Sequence, residues 1–251
     1  MEDIMKIIAD MHTHTLVSGH AYGTIRENAR AAADKGLQLL GITDHAPGIP
    51  GACDEIYFKT FHFVPRVLYG VKMLYGSEIN VLNDGTLSMQ EKTLQKLDYG
   101  ICGIHGNCYT DAGREQNTTN LISCMKHDRI RLVSHPDDDH TPLDYERLVA
   151  AAKTYHVALE LNNSSLIKKD IRLNCYENYR TMLALCEKLR VPICVDSDAH
   201  DPFYVGEFSR AEALLRETGF DPSLVLNADL NRLASFLGVT LPESETPKMG
   251  V

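Results

Sequence analysis

The chain has 251 residues, of which 44% are hydrophobic and 24% are charged, which is ordinary for a globular protein and excludes a disordered, collagen-like or coiled-coil chain. Its 34 acidic residues outnumber the 25 basic ones, and the net charge of −9 disfavours a surface that binds nucleic acid. The 11 histidines exceed an average share, so their positions are informative.

The cysteines and the hydrophobic pattern indicate in which cellular compartment the protein is expected. The seven cysteines include no Cys-x-x-Cys pair, which is typical of free thiols in a reducing compartment. No apolar run is long enough to span a bilayer, and no secretory signal is recognisable. We therefore expect a cytoplasmic protein that does not contact membranes.

Short apolar segments alternate with amphipathic ones along the chain. The predicted strands cover 6–11, 37–43, 72–79, 99–104, 131–134, 157–161 and 192–195. The predicted helices cover 24–35, 115–127, 143–155, 174–189 and 229–238. Asn-Asp-Gly within 80–89 predicts a hairpin appended to the third strand, whereas 47–69 has weaker periodicity.

This alternation predicts an α/β fold with parallel strands joined by right-handed crossovers. At this length, a closed barrel is favoured over an open doubly wound sheet. We expect a single domain over 1–240 and a disordered tail over 241–251.

Histidines and carboxylates cluster at the ends of the predicted strands. These residues are His12, His14, His45, Glu78, His105, His135, Asp198 and His200, and His20 follows in the first loop. Both α/β barrels and open α/β sheets build their sites at this carboxyl edge. The nine side chains therefore predict one shared site.

The spacing of these residues favours metal binding. His12-Thr-His14 on an extended segment places two imidazoles on the same face, and Asp198-Ala-His200 repeats this arrangement. Burying so many unpaired polar groups is costly, and metal coordination compensates for that cost. The set is too large for one ion, so we expect two or three, with Glu78 as the bridging carboxylate.

Other candidate residues have simpler interpretations. We expect Asp44 and Asp196 to orient metal ligands rather than to bind metal. The remaining histidines lie in loops or helices and are interpreted as structural: His62, His127, His140 and His156. The sequence contains no serine-nucleophile elbow, phosphate-binding P-loop or dinucleotide fingerprint, which leaves hydrolysis by metal-activated water.

The motifs resemble those of the polymerase and histidinol phosphatase (PHP) superfamily of metal-dependent phosphoesterases. The matching motifs are His12-x-His14, His20, Thr43-Asp44-His45, Glu78, His105, Ser134-His135-Pro136 and Asp198-x-His200. The segments 159–165 and 205–208 are similar to its YcdX-type phosphatase branch. The sequence departs from that branch at 106–109 and 137–140.

The resemblance implies a distorted TIM-like barrel of seven β/α units with three zinc ions, although Mn²⁺ or Fe²⁺ would also suit these ligands. The implied ligand sets are His12, His14, Glu78 and Asp198 for one ion, Glu78, His105 and His135 for a second, and His20, His45 and His200 for a third. The implied activity is hydrolysis of phosphate monoesters, with Glu78 and Asp198 as catalytic carboxylates. The partner would be a small phosphorylated substrate, and self-association stays open.

Three basic residues lie near the predicted site. Arg114, Lys168 and Lys169 follow predicted strands at the same edge and would steer a phosphate, or else are solvated surface charges.

Alternative functions are a histidinol-phosphate phosphatase, an exonuclease of the same superfamily, an amidohydrolase and a non-catalytic metal-binding module. The net charge argues against the exonuclease, and His105, where an amidohydrolase would have a carboxylated lysine, argues against the amidohydrolase.

Overall fold

The computed structural model describes residues 5–168 and 170–243. Its strands are β1 (Ala9–Asp10), β2 (Leu39–Ile42), β3 (Val67–Leu68), β4 (Val71–Tyr75), β5 (Ser77–Asn80), β6 (Gly100–Gly103), β7 (Ile130–Val133), β8 (Ala158–Asn162) and β9 (Ile193–Asp196). They form one sheet in the order β1-β2-β4-β3 and another in the order β5-β6-β7-β8-β9. Every pairing is parallel except that of β3 with β4, so the predicted α/β fold with parallel strands is confirmed.

The α-helices connect these strands. They are α1 (Ile25–Asp34), α2 (Ile56–Lys59), α3 (Glu91–Leu94), α4 (Arg114–Met125), α5 (Tyr145–Tyr155), α6 (Asn163–Ile167), α7 (Cys175–Leu189), α8 (Ser209–Thr218) and α9 (Leu230–Leu237). The five predicted helices correspond to α1, α4, α5, α7 and α9. Helix α1 begins with a capping box, in which Thr24 and Glu27 satisfy each other's backbone N–H groups.

Helix α8 was not predicted from the sequence. It has no side-chain cap of its own at Phe208. Instead, Oδ1 of Asn163 accepts hydrogen bonds from the backbone N–H groups of Arg210 and Ala211 at 2.9 and 3.1 Å. Glu207 accepts from the Ser209 N–H at 3.1 Å, but the other two bonded N–H groups of the first turn depend on a residue far away in the chain, so the local signal for the start of this helix is weak.

The third predicted strand is divided at Gly76 into β4 and β5. A Cβ atom at this position would lie 2.5 Å from the carbonyl oxygen of Tyr99, so the close approach requires glycine. Strand β4 pairs with β2, whereas β5 pairs with β6. The predicted hairpin after this strand is reduced to one antiparallel bridge between Val81 and Leu87.

Isolated parallel bridges connect the two sheets. His45, which follows β2, forms a bridge with Glu78 in β5, so the pairing that β2 makes with β4 continues past Gly76. Thr13, beyond the end of β1, forms a bridge with Ala199, beyond the end of β9. The carboxyl end of β1 is therefore adjacent to that of β9, and the carboxyl end of β2 is adjacent to β5.

The hydrophobic core has two parts. The larger cluster lies between the strands and the helices. The smaller cluster contains one or more residues from each of β1, β2, β4, β6, β7, β8 and β9, and helix α9 packs Leu233 and Phe236 against it. Alternate residues of the strands thus face the two clusters, as the two-residue period of a strand dictates.

Two predictions concern the chain termini and membranes. Residues 244–251 of the predicted tail lie outside the described residues. Among residues 5–168 and 170–243, no helix combines the length and the apolar character needed to cross a membrane.

Asn227 connects β1 to β9, and its loss tests how the fold is held together. Its buried amide donates to the carbonyl oxygens of Ala9 at 2.9 Å and Val195 at 2.6 Å and accepts from the Val195 N–H at 3.1 Å. Asn227→Ala leaves these groups unpaired, so we expect the free energy of unfolding in urea to fall by about 3 kcal/mol. The exposed Asn231→Ala variant should change it by less than about 0.5 kcal/mol. Equal values for the two variants would contradict this role.

Candidate metal centre

The nine predicted ligands come together at the carboxyl ends of the parallel strands. Seven of them line a cavity of about 430 Å³: His20, His45, Glu78, His105, His135, Asp198 and His200. The other two, His12 and His14, are fully buried. Ligand atoms lie within 4.8 Å of one another in three overlapping groups, which are His12–His14–Asp198, His45–Glu78–His105 and His14–His45–His200.

The carboxylate of Glu78 lies between two sets of imidazoles. Its Oε1 is 2.8 Å from Nε2 of His135 and 3.1 Å from Nε2 of His105. Its Oε2 is 2.9 Å from Nδ1 of His45 and 3.3 Å from Nε2 of His12. Burial alone would raise the pKa of this carboxyl group, but the surrounding imidazoles, that of His105 foremost, hold it well below its usual value. One oxygen facing each set is the arrangement of a carboxylate that bridges two cations.

Hydrogen bonds beneath the site determine which ring nitrogen of His12 and His14 is free. Nδ1 of His12 lies 2.7 Å from Oε1 of Glu160, an acceptor, so this nitrogen carries the hydrogen. Ser18 Oγ donates its hydrogen to Asp44 at 2.7 Å and therefore accepts from Nδ1 of His14 at 3.0 Å. With Nδ1 of both rings engaged in this way, the two Nε2 atoms are the ones that face the site, and they lie 3.0 Å apart.

Two facing ring nitrogens require a positive charge between them, either a proton or a metal cation. Burial lowers the pKa of His12, but the carboxylates of Glu160 and Glu78 outweigh this effect and hold it well above its ordinary value. Burial holds the pKa of His14 well below its ordinary value, so its lone pair stays available. A divalent cation would take the place of the proton on His12, and neutral imidazoles beside ionised carboxylates are the donor set that cations such as zinc prefer.

Two buried polar atoms support the same interpretation. Oε2 of Glu78 and Nδ1 of His45 lie 2.9 Å apart, but neither atom makes a hydrogen bond of acceptable geometry to any described residue. Buried polar atoms are normally satisfied, and the desolvation of an unsatisfied one costs free energy. A bound cation would satisfy both atoms, so these residues fit a metal.

A third group of imidazoles lies closer to the solvent. Nε2 of His200 is 3.1 Å from Nε2 of His20. The ring centroid of His45 is 5.0 Å from that of His20 and 5.8 Å from that of His200. Three imidazoles at these separations can supply the nitrogen ligands of one further cation.

Two of the candidate ligands have left-handed backbone conformations. The φ angle is 30° at His135 and 51° at Asp198, which is costly for residues other than glycine. Oε2 of Glu160 accepts from the His135 N–H at 2.6 Å, and the Asn162 amide donates to Oδ2 of Asp198 at 3.2 Å. The first bond holds the strained backbone of His135, and the second holds the Asp198 carboxylate where it faces the site.

Glu160 is a site residue to which the sequence analysis assigned no role. It lies in the middle of β8, is fully buried and contacts both His12 and the backbone of His135. The available signal was a charged residue inside a short apolar strand, because a buried carboxylate needs partners.

Asp44 and Asp196 also support the ligands, but not by contacting an imidazole. Asp44 accepts from Ser18, whose hydroxyl in turn accepts from the His45 N–H at 3.1 Å, so it orients two ligands through this one hydroxyl. Asp196 accepts from the Met11 N–H at 2.7 Å and thereby holds the backbone that precedes the first ligand.

The predicted basic residues have different positions. Arg114 is the exposed first residue of α4 and is not among the residues that line the cavity. Lys168 is exposed and lines a second, smaller cavity beside the site, whereas Lys169 lies outside the described residues. The cation that lines the main cavity is Arg172, which was not predicted and whose guanidinium is paired with Asp137 at 2.6 and 2.9 Å.

The four histidines interpreted as structural are separate from the ligand set. His62 is exposed, His127 is paired with a glutamate and His156 packs on an aromatic ring. His140 lines the main cavity, and its Nδ1 lies 2.7 Å from Oδ1 of Asp138.

Comparisons with known proteins show what this chain is similar to. The family model described as PHP domain matches residues 10–218. The chain is 39% identical to a probable phosphatase of Thermoanaerobacter sp. (strain X514) over 93% of this chain and 95% of that protein. It is 37% identical to a probable phosphatase of Clostridium botulinum (strain Langeland) over 93% of this chain and 95% of that protein. The structure is similar to that of histidinol phosphate phosphatase from Lactococcus lactis, which was solved with zinc, L-histidinol and phosphate. The TM-score is 0.60 and the sequence identity is 16%, and the match covers 86% of this chain and 95% of that one.

Removal of the Glu160 charge tests its support of the site. In Glu160→Gln, one of the two carboxylate oxygens is replaced by an NH₂ group, which cannot accept a hydrogen bond. Either the His12 ring N–H or the His135 backbone N–H therefore loses its acceptor. We expect zinc affinity, measured by titration against a competing chelator, to fall about 10- to 100-fold. Glu115→Gln, an exposed position paired with Arg147, is the matched control and should bind zinc as the unmodified protein does. Affinity within twofold of the control would argue against the role of Glu160.

Proposed function

Because this chain belongs to the PHP domain family, as its motifs implied, we propose that it is a metal-dependent phosphatase that hydrolyses phosphate monoesters. The observation that carries this proposal is the buried Glu78 carboxylate, which presents one oxygen to each of two sets of imidazoles. Relatives named as probable phosphatases over nearly their whole length support the same reaction class.

The proposed cofactors are three divalent ions, with zinc favoured and Mn²⁺ or Fe²⁺ as alternatives. The proposed ligand sets are His12, His14, Glu78 and Asp198; Glu78, His105 and His135; and His20, His45 and His200. The close approach of ring nitrogens within the first and third sets supports this assignment. Bound divalent ions supply Lewis-acid activation of water and neutralise the charge of a phosphate.

The residues of the chain provide the remainder of the mechanism. Burial would raise the pKa of Asp198, but the imidazoles around it, that of His12 foremost, hold it well below its usual value. Asp198 and Glu78 are therefore ionised at neutral pH and act as charge-holding groups rather than as proton donors. The Asn162 amide donates to both Glu160 and Asp198 and so fixes the orientation of the Asp198 carboxylate, and no side-chain nucleophile is required.

Positive charge near the site would attract the anionic substrate. The Lys168 ammonium lies near enough to His200 to lower the pKa of that imidazole, although burial contributes most to the shift. We assign Lys168 to the steering of a small phosphorylated substrate on approach. Arg172 is already paired with Asp137 and positions the His135 carbonyl, to which its Nη2 donates at 2.9 Å.

We also propose that the two sheets form one distorted barrel of seven β/α units in a single domain over 1–240. The Thr13–Ala199 and His45–Glu78 bridges support this architecture, because they link β1 to β9 and β2 to β5 across the two sheets. The inner hydrophobic cluster supports it as well, since seven parallel strands contribute to it.

The reaction itself is tested by phosphate release. Purified protein loaded with Zn²⁺ or Mn²⁺ should hydrolyse 4-nitrophenyl phosphate, and removal of metal by a chelator should abolish the activity until metal is restored. Metal content is measured in the same samples. A fully loaded protein that hydrolyses none of several monoesters would exclude the phosphatase and favour a non-catalytic metal-binding module. Hydrolysis of amides in place of esters would favour the amidohydrolase alternative.

The bridging role of Glu78 is tested by Glu78→Gln. The amide keeps the shape but loses the charge that holds two cations, so turnover should fall by about 100-fold or more and metal stoichiometry should decrease. Far-ultraviolet circular dichroism should be unchanged, and Glu115→Gln again serves as the control. Turnover within threefold of the control, with full metal content, would rule out a bridging function.

A further inference from the structure

A second cavity adjoins the site and differs from the main one in its lining. Its volume is about 190 Å³, and it shares Asp198 and His200 with the main cavity. Ile167 and Tyr204 form apolar parts of its walls. They are 49% and 47% exposed, so about half of each large side chain is left uncovered by the protein.

The wall that carries Ile167 is connected by hydrogen bonds to the candidate metal ligand Asp198. Ile167 is the last residue of α6, and Asn162 caps the start of this helix by accepting from the Ser165 N–H at 2.8 Å. The amide of the same Asn162 donates to Oδ2 of Asp198 at 3.2 Å. The position of the apolar wall is therefore set relative to the site by one side chain.

The wall that carries Tyr204 is also fixed by hydrogen bonds. Tyr204 ends the 3-10 helix Pro202–Tyr204, which Asp201 caps by accepting from the Phe203 N–H at 2.9 Å. Asn163 in α6 caps α8, which follows this wall, so the two walls are connected to each other. A cavity with such fixed walls binds a ligand without a large ordering cost.

The two cavities suit different parts of a substrate. The main cavity has a mixed lining, in which charged and polar side chains such as Asp111, Asp138 and His140 outnumber apolar ones such as Ile104 and Leu143. The smaller cavity offers apolar walls with Lys168 and Glu207 beside them. An apolar cavity of about 150 Å³ accommodates a benzene ring, so 190 Å³ holds one ring with a small substituent but not a nucleoside.

We propose that the smaller cavity receives the leaving group of the substrate, and that the substrate class is a phosphate monoester of an alcohol or phenol with one compact apolar ring. This inference rests on the proposed phosphatase function. The phosphoryl group lies at Asp198 and His200, and the ring packs between Ile167 and Tyr204. These two residues determine specificity and take no part in the chemistry.

The test uses inert analogues so that binding is separated from turnover. The metal-loaded protein is titrated calorimetrically with phenylphosphonate and methylphosphonate, in which a carbon–phosphorus bond replaces the ester. We expect phenylphosphonate to bind at least tenfold more tightly. Ile167→Ala and Tyr204→Ala should each reduce this preference about tenfold while leaving methylphosphonate affinity unchanged. The control is Phe203→Ala, because Phe203 is 75% exposed beside Tyr204 and does not line this cavity.

The outcomes separate this inference from the proposed function. Equal binding of the two phosphonates, or a preference that both variants retain, would overturn the leaving-group assignment even if phosphate esters are hydrolysed. A preference altered only by Asp111→Asn would place the ring in the main cavity and would likewise overturn it. Loss of the preference in both variants without hydrolysis of any phosphate monoester would overturn the proposed function and retain the cavity as a binding site.

Discussion

The structure depends on one buried carboxylate. Glu78 is fully removed from water, and a charge in that position is tolerated only where opposite charges or strong donors surround it. Gly76 bends the chain so that Glu78 bridges to His45 on one side and pairs with β6 on the other. Gly103 leaves the space above the carboxylate open, since a Cβ atom there would lie 2.1 Å from Ser134 Oγ and 3.3 Å from Oε1 of Glu78. The glycines in these strands thus serve the site as well as the sheet.

Much of this arrangement could be predicted because it follows from a periodic pattern. Parallel strands end at a common edge, so a histidine or carboxylate at the end of six of the seven predicted strands is enough to predict that the nine side chains meet. Helices that carry their own caps were equally accessible, as Thr24 and Glu27 show for α1. The family resemblance added the sets into which the ligands divide, which spacing alone left open.

The remainder depends on contacts between residues far apart in the chain. Glu160 acts through His12, 148 residues away, and α8 begins where Asn163 caps it. The division of the third strand follows from a close approach to Tyr99, and the pairing of Arg172 with Asp137 joins two loops. Each of these features requires a distance in space that no local pattern encodes, which is also why the lining of the cavities could not be predicted.

The connection between the start and the end of the chain has a consequence for synthesis. His20 and His200 are 180 residues apart, and their ring nitrogens nevertheless face each other at 3.1 Å. A chain still emerging from the ribosome therefore has the first imidazoles long before the last ones exist. Since metal affinity depends on a formed ligand set, a site that includes both imidazoles would bind its metal only after residue 200 has been added. Any cation held by both rings would therefore bind late, when nearly the whole fold is available.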